Sequence, residues 1–271
     1  MDAAPSINLP QSLPVWPTGS TPLPSPEDGV FPTLTHYLPS EEFRTGQSVL
    51  IFPGGGYGGL SSAKEGHRPA QLLAANGIAA AVLEYRHAPQ KHPVPLMDAQ
   101  RALRIVRQQA ELHDGLDPAQ VGCMGFSAGG HLAGSLATQP EVSEGLVGDH
   151  LDSVPFKPDF FAVVYAVLSF GEPHTHLGSQ HNLLGENASE DQIKLLSIEK
   201  AVSADTPPCF ITHGQGDAAV PVENAIVLYQ ALTRYQIPAT LFLFEEDAHG
   251  IGMAANHSWA QRLLDWLGER G

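Results

Sequence analysis

Seven apolar, strand-like runs recur along the chain, at residues 33–38, 48–53, 78–85, 121–126, 160–168, 208–213 and 239–244, with helical patterns between them. Most are continuous rather than alternating, the mark of strands covered on both faces. Between them, Ala99, Ala102, Leu103, Val106 and Ala110 recur at helical spacing, with Arg101, Arg104 and Arg107 off that face. Ala225, Leu228, Tyr229 and Leu232 repeat the pattern after Pro221, and Trp259, Leu263, Leu264 and Leu267 close the chain, with Asn256 a candidate N-cap. Strands alternating with helices need crossover connections. The expected fold class is therefore α/β, a mostly parallel central sheet flanked by helices on both faces.

Composition agrees with one such domain. The chain has 271 residues, 42% hydrophobic and only 16% charged, ample for a core and unlike a disordered chain. A net charge of −15 speaks against nucleic acid and anionic membranes as partners. No apolar stretch is long enough to span a bilayer. Residues 1–32 hold eight prolines, from Pro5 to Pro32, and are expected to pack on the surface as an extended arm, since proline gives no N–H to a helix or central strand. Residues 33–271 then form a single domain, with no linker to divide it. Cys123 and Cys209 sit inside apolar runs and read as buried free thiols. With no leader visible at the start, the expected compartment is the cytoplasm, or a secreted or periplasmic one if a signal peptide has been removed. A homo-oligomer is left open.

Chemistry gathers at the ends of these strands. The run at 48–53 feeds Gly54-Gly55-Gly56-Tyr57-Gly58-Gly59, which spells the dinucleotide fingerprint G-x-G-x-x-G, with Glu84 where a ribose-binding acid would stand. A dinucleotide site opens its helix within the glycines, whereas here the next helical stretch waits until about residue 64 and contains Pro69. The better reading is a bend whose bare backbone N–H groups point at an oxyanion, glycine permitting the close approach.

The strand at 121–126 runs into Gly125-Phe126-Ser127-Ala128-Gly129, followed by a helix. Strand, sharp turn and helix around G-x-S-x-G describe a nucleophile elbow, with small residues where the backbone is crowded. A serine hydroxyl needs a base, and the base a third group to fix its tautomer, in the order Ser, acid, His for this type of sheet. Asp217 lies just beyond the strand at 208–213, and His249 follows the last strand, with Gly250 beside it. Asp217 could instead cap the helix starting near Pro221. Asp247 is the fallback acid and His257 the lesser base, while Asp205 precedes its strand and belongs to the opposite edge. The trio His174, His176 and His181 lies in a polar insertion and lacks carboxylates at ligand spacing. It reads as loop histidines over the site rather than as a metal centre.

Taken in order, Pro53-Gly54-Gly55-Gly56-Tyr57, the segment from Gly125 to Ala133, His213-Gly214 with Asp217 and Val220-Pro221, and the late His249-Gly250 resemble the α/β-hydrolase superfamily. More narrowly they resemble its acetyl-xylan-esterase-like carbohydrate esterases, related to acetyl esterases of the hormone-sensitive-lipase type. Glu84-Tyr85-Arg86, the stretch from Pro95 to Gln100, and the stretch from His181 to Gly185 echo the same group, and the likeness covers about residues 45–270.

The resemblance implies Ser127, Asp217 and His249 as catalytic triad and an oxyanion hole from the N–H of Ala128 with those of Gly55 and Gly56, Tyr57 N–H being the alternative. Pro53 stands where lipase-type members carry histidine, which favours the sugar-esterase branch. It further implies hydrolysis of short-acyl, acetyl-type esters of xylan-derived or other carbohydrates through an acyl-enzyme, with no cofactor and no metal. Tyr57 and the 171–185 loop are the expected sugar contacts. A serine peptidase of the prolyl-oligopeptidase type and a non-catalytic hydrolase-fold binder are the alternatives.

Overall fold

The computed structural model describes residues 10–17, 22, 31–245, 248–251 and 258–270. Asp247, Asn256 and His257, and Pro5, Pro24 and Pro26 of the arm, lie outside the described residues. Along the chain the strands are β1 (Gln11–Pro14), β2 (Thr33–Tyr37), β3 (Gly46–Phe52), β4 (Ala79–Glu84), β5 (Leu116–Phe126), β6 (Phe161–Val164), β7 (Cys209–Gly214) and β8 (Ala239–Phe244). The α-helices are α1 (Arg68–Ala75), α2 (Val94–Leu112), α3 (Ala128–Thr138), α4 (Leu177–Leu184), α5 (Glu190–Leu195), α6 (Ile198–Ala201), α7 (Glu223–Arg234) and α8 (Trp259–Gly268).

One eight-stranded sheet runs in the order β1-β2-β4-β3-β5-β6-β7-β8. The six strands from β3 to β8 pair in parallel, while β1 and β2 add an antiparallel edge. The two-residue period of a strand divides the core between two faces. Leu50, Phe52, Leu83 and Cys123 turn to one side, where they meet α2, α3 and α7. Val49, Ile51, Val82 and Met124 turn to the other, against α1 and α8. Both faces are covered, which is why the strand sequences read as continuous apolar runs. After β3 the chain first adds β4 on one side, then crosses to add β5 on the other. The loops after β3 and β5 therefore diverge at a switch point, where a crevice opens at the carboxyl ends of the strands.

Three features differ from the sequence reading. The arm is not only a surface wrap: Gln11–Pro14 pairs with β2, and Val15 and Trp16 enter the core. The Trp16 Nε1–H donates to Asp98 Oδ1 at 2.7 Å. Arg101, Arg104 and Arg107, off the apolar face of α2, are nonetheless buried, because residues 139–159 fold over them. They pair there with Asp149, Glu141 and Asp159, respectively. The run at 160–168 is a strand only as far as Val164, since Tyr165 adopts a left-handed φ of 38° and leaves the ladder.

Candidate active site

Ser127 sits between the last residue of β5 and the first of α3, with φ 50° and ψ −121°. A non-glycine residue there is strained and persists only where its surroundings over-determine it. The flanking glycines are that surrounding. A Cβ on Gly125 would come to 2.0 Å from the Gly129 carbonyl oxygen, and one on Gly129 to 2.1 Å from that of Phe52. The elbow thus needs glycine on both sides of the serine, one to admit α3 against β5 and one to admit it against β3.

The predicted partners converge on that serine. The Ser127 hydroxyl donates to His249 Nε2 at 2.9 Å, and His249 Nδ1–H donates to Asp217 Oδ2 at 2.7 Å. Ser127 and Asp217 are almost wholly buried, while the His249 side chain keeps about a quarter of its surface open. The other Asp217 oxygen accepts the Ala219 and Val220 N–H groups, which lock the carboxylate in its loop. It does not cap α7, which begins later, at Glu223. Burial alone would raise the Asp217 carboxyl. Hydrogen bonds from His213, His249 and the Val220 N–H outweigh it and hold the group well below the usual carboxylate range. Such a relay can draw the serine proton onto an imidazole of fixed tautomer.

The glycine turn supplies the complementary half. Five successive carbonyls from Pro53 to Tyr57 are occupied. Those of Pro53, Gly54, Gly55, Gly56 and Tyr57 accept from Tyr85 Oη, Ser61 N, Gly58 N, Asn182 Nδ2 and Ala88 N, respectively. The Gly54 N–H donates to Glu65. Among the described residues, the N–H groups of Gly55, Gly56, Tyr57 and Ala128 make no internal hydrogen bond. Positive φ at Gly55, Gly56 and Tyr57 produces this one-sided display of donors. No helix opens within the glycines, since a single π-helical turn (Ser62–His67) comes first. Glu84 is taken up by the Thr33 hydroxyl. The nucleotide reading therefore finds no helix N-terminus to hold a pyrophosphate.

One expected contact is corrected. The Tyr57 side chain is 1% exposed, so its ring cannot meet a sugar. It points into the core, where its hydroxyl donates to His131 Nδ1 at 2.9 Å while His131 Nε2–H donates to the Leu196 carbonyl. Only the Tyr57 backbone N–H faces the crevice. In the 171–185 loop His176 caps α4, its Nδ1 accepting the Ser179 N–H. Burial and the neighbouring His249 lower the His176 pKa, against a weaker pull from Asp217. His181 is exposed on α4. Among the described residues, no group of three or more metal-ligating side chains comes together.

The sequence reading missed Glu65 and Tyr165. Glu65 is a lone acid in a short irregular turn, and Tyr165 looked like more strand. Nothing periodic marks either residue.

A parallel sheet with a strained serine at its switch point, an acid after β7 and a histidine after β8 define an α/β-hydrolase. The enzyme of that fold from a Medee basin deep-sea metagenome library superposes with a TM-score of 0.69 at 24% identity, covering 98% of each chain, a likeness in fold alone. More narrowly, the chain belongs to the BD-FAE family, which it matches over residues 34–232. It is 33% identical over 236 residues to an acetylxylan esterase of Xylanibacter ruminicola, covering 86% of this chain and 46% of that protein. It is 34% identical over 230 residues to endo-1,4-beta-xylanase B of Butyrivibrio fibrisolvens, covering 83% and 35%. The chain thus spans less than half the length of these two relatives. An acetyl ester-xyloside bifunctional hydrolase from Caldicellulosiruptor lactoaceticus superposes with a TM-score of 0.89 at 34% identity, covering 96% of each chain.

Proposed function

We propose that the protein is a serine carboxylic ester hydrolase that removes short acyl groups, acetyl above all, from xylan-derived or related carbohydrates. The observation that carries this reading is the hydrogen-bonded run from Ser127 through His249 to Asp217. It lies at the same sheet edge as the backbone amides of Gly55, Gly56, Tyr57 and Ala128, which make no hydrogen bond among the described residues. His249 takes the proton of Ser127 as the hydroxyl oxygen attacks the ester carbonyl. The tetrahedral oxyanion is received by the N–H of Ala128 with those of Gly55 and Gly56, each such donor contributing about 3 kcal/mol to lowering the barrier. His249 returns the proton to the departing alcohol. Water, deprotonated by the same imidazole, then attacks the acyl-serine and frees the acid. These steps call on no metal or cofactor.

Support for the substrate class comes from the relatives named for acetylxylan and acetyl ester-xyloside hydrolysis. The compartment proposed with it is the cytoplasm, on the ground that the buried, unpaired Cys123 and Cys209 would stay reduced there.

The test is acetate release from acetylated xylo-oligosaccharides, measured beside p-nitrophenyl acetate and a peptide anilide. Turnover of both acetates and not the anilide is expected. Ser127→Ala is expected to lower kcat/KM by about a thousandfold or more. Anilide cleavage in preference to the acetates would replace the esterase with a peptidase. Failure of a fluorophosphonate to label Ser127 would leave a binding protein.

A further inference from the structure

Glu65 is a buried acid that the reaction above does not use. It sits on the π-helical turn Ser62–His67, a rare local geometry that tends to mark functional sites. Its two carboxyl oxygens divide between two parts of the site. Oε2 accepts the Gly54 N–H at 2.9 Å, at the root of the glycine turn. Oε1 accepts the Tyr165 hydroxyl at 2.9 Å. Both Glu65 Oε2 and Ser127 Cβ lie within 3 Å of the point that a Cβ on Gly54 would occupy, so this carboxyl backs directly onto the nucleophile elbow.

Tyr165 completes the connection. Its ring stands edge-on to the His249 imidazole, centroids 5.0 Å apart. Its backbone is held at φ 38°, a conformation that tyrosine adopts only under constraint. The backbone N–H donates to the Thr212 carbonyl of β7, five residues before Asp217. The neighbouring Lys64, on the same π-helical turn, donates through its ammonium to the Gly250 carbonyl, next to His249. One turn of chain therefore touches the glycine turn directly and reaches His249 and its neighbour Gly250 by two routes, through Tyr165 and through Lys64.

We infer that Glu65 is a positioning residue. Its carboxyl couples the glycine turn, through the Gly54 N–H, to the His249 imidazole, through Tyr165, and so holds the oxyanion donors and the base in one register. Separate loops carry these groups, and a misplacement of about 1 Å between them costs on the order of a hundredfold in rate. The inference rests on the esterase reading for its kinetic consequence but not for the coupling itself.

The experiment combines Glu65→Gln, Tyr165→Phe and the double variant. Turnover of p-nitrophenyl acetate is expressed per active site titrated with a fluorophosphonate, so that loss of folded protein does not enter. The low-field proton NMR signal of His249 Nδ1–H, assigned by its loss in His249→Gln, reports the base without any turnover. Each single substitution is expected to lower kcat per titrated site about tenfold, with KM within about twofold. The double variant should be no worse than the worse single, and the proton signal should broaden in all three. If Glu65→Gln does not fold, Tyr165→Phe alone decides, since it removes one hydroxyl and preserves the ring. A kcat within about twofold of wild type and an unchanged proton signal would overturn the inference, as would single effects that multiply in the double variant. Wild-type protein without ester turnover would instead overturn the esterase reading, and an unaltered proton signal in the variants would then dispose of the coupling on its own.

Discussion

His131 and His249 are the same side chain in two environments, and burial separates what they can do. His131 is fully buried on α3, stacked on Phe170 with ring centroids 4.6 Å apart, and fixed between the Tyr57 hydroxyl and the Leu196 carbonyl. Burial pushes its pKa down to about 4, against the Leu196 hydrogen bond that favours the charged form. The unfolded chain, with an ordinary histidine near 6.5, binds a proton that the folded chain refuses until about pH 4. Stability is therefore lost as pH falls through this window. Between pH 7 and pH 5 this one residue should cost about 2 kcal/mol. Urea denaturation at the two pH values should show wild type losing that much more than His131→Gln, and equal losses would refute it. At this scale Ser127, Asp217 and His249 were legible because each stands at a strand end where its chemistry has a use. Glu65 and Tyr165 were not, because their meeting joins positions 100 residues apart.

Elements were legible to the extent that their patterns are local. β8 has the boundaries expected, and β3, β4 and β7 differ by one or two residues, since apolar runs between turn signals report burial directly. β6 is shorter than its apolar run because residues 165–168 remain buried without remaining strand. Hydrophobicity records the burial and not the change of backbone direction. The elbow shows the reverse case, where the glycines record backbone proximity. A Cβ on Gly129 would meet the carbonyl oxygens of Phe52 at 2.1 Å and Pro53 at 2.5 Å, backbone atoms that cannot swing aside. Gly129→Ala should thus force α3 away from β3, with a loss of about 1–3 kcal/mol in urea denaturation. Because Pro53 begins the glycine turn, kcat per folded molecule should fall as well. A variant with wild-type stability and turnover would show that the elbow does not require this contact.

Across the whole molecule, the arm at the edge of the sheet is tied to α2 and to the segment after β4 through one buried acid. Asp98 on α2 is fully buried and receives Arg86, which follows β4, as well as Trp16 from the arm. Trp16 also lies against Arg101, whose guanidinium carbon is 5.5 Å from the ring centroid. The arm thus closes the antiparallel edge and covers α2 at once. Trp16→Ala should destabilise the protein by about 3–5 kcal/mol, the range for an aromatic core truncation. Thermal or urea unfolding within 1 kcal/mol of wild type, a margin set by the scatter of surface substitutions, would mean that the arm is dispensable.

The sequence by itself determined the α/β class, the strand that carries the serine, and the three side chains expected to meet, because period, glycine spacing and chain order are properties of neighbours along the chain. Tertiary structure decided that part of the arm becomes a strand, that three arginines of α2 lie buried under a loop, that the Tyr57 ring turns inward, and that Glu65 reaches Tyr165. Each of these depends on which distant surfaces come to share one space, and a carboxyl or an aromatic ring carries no local mark of the partner it will find.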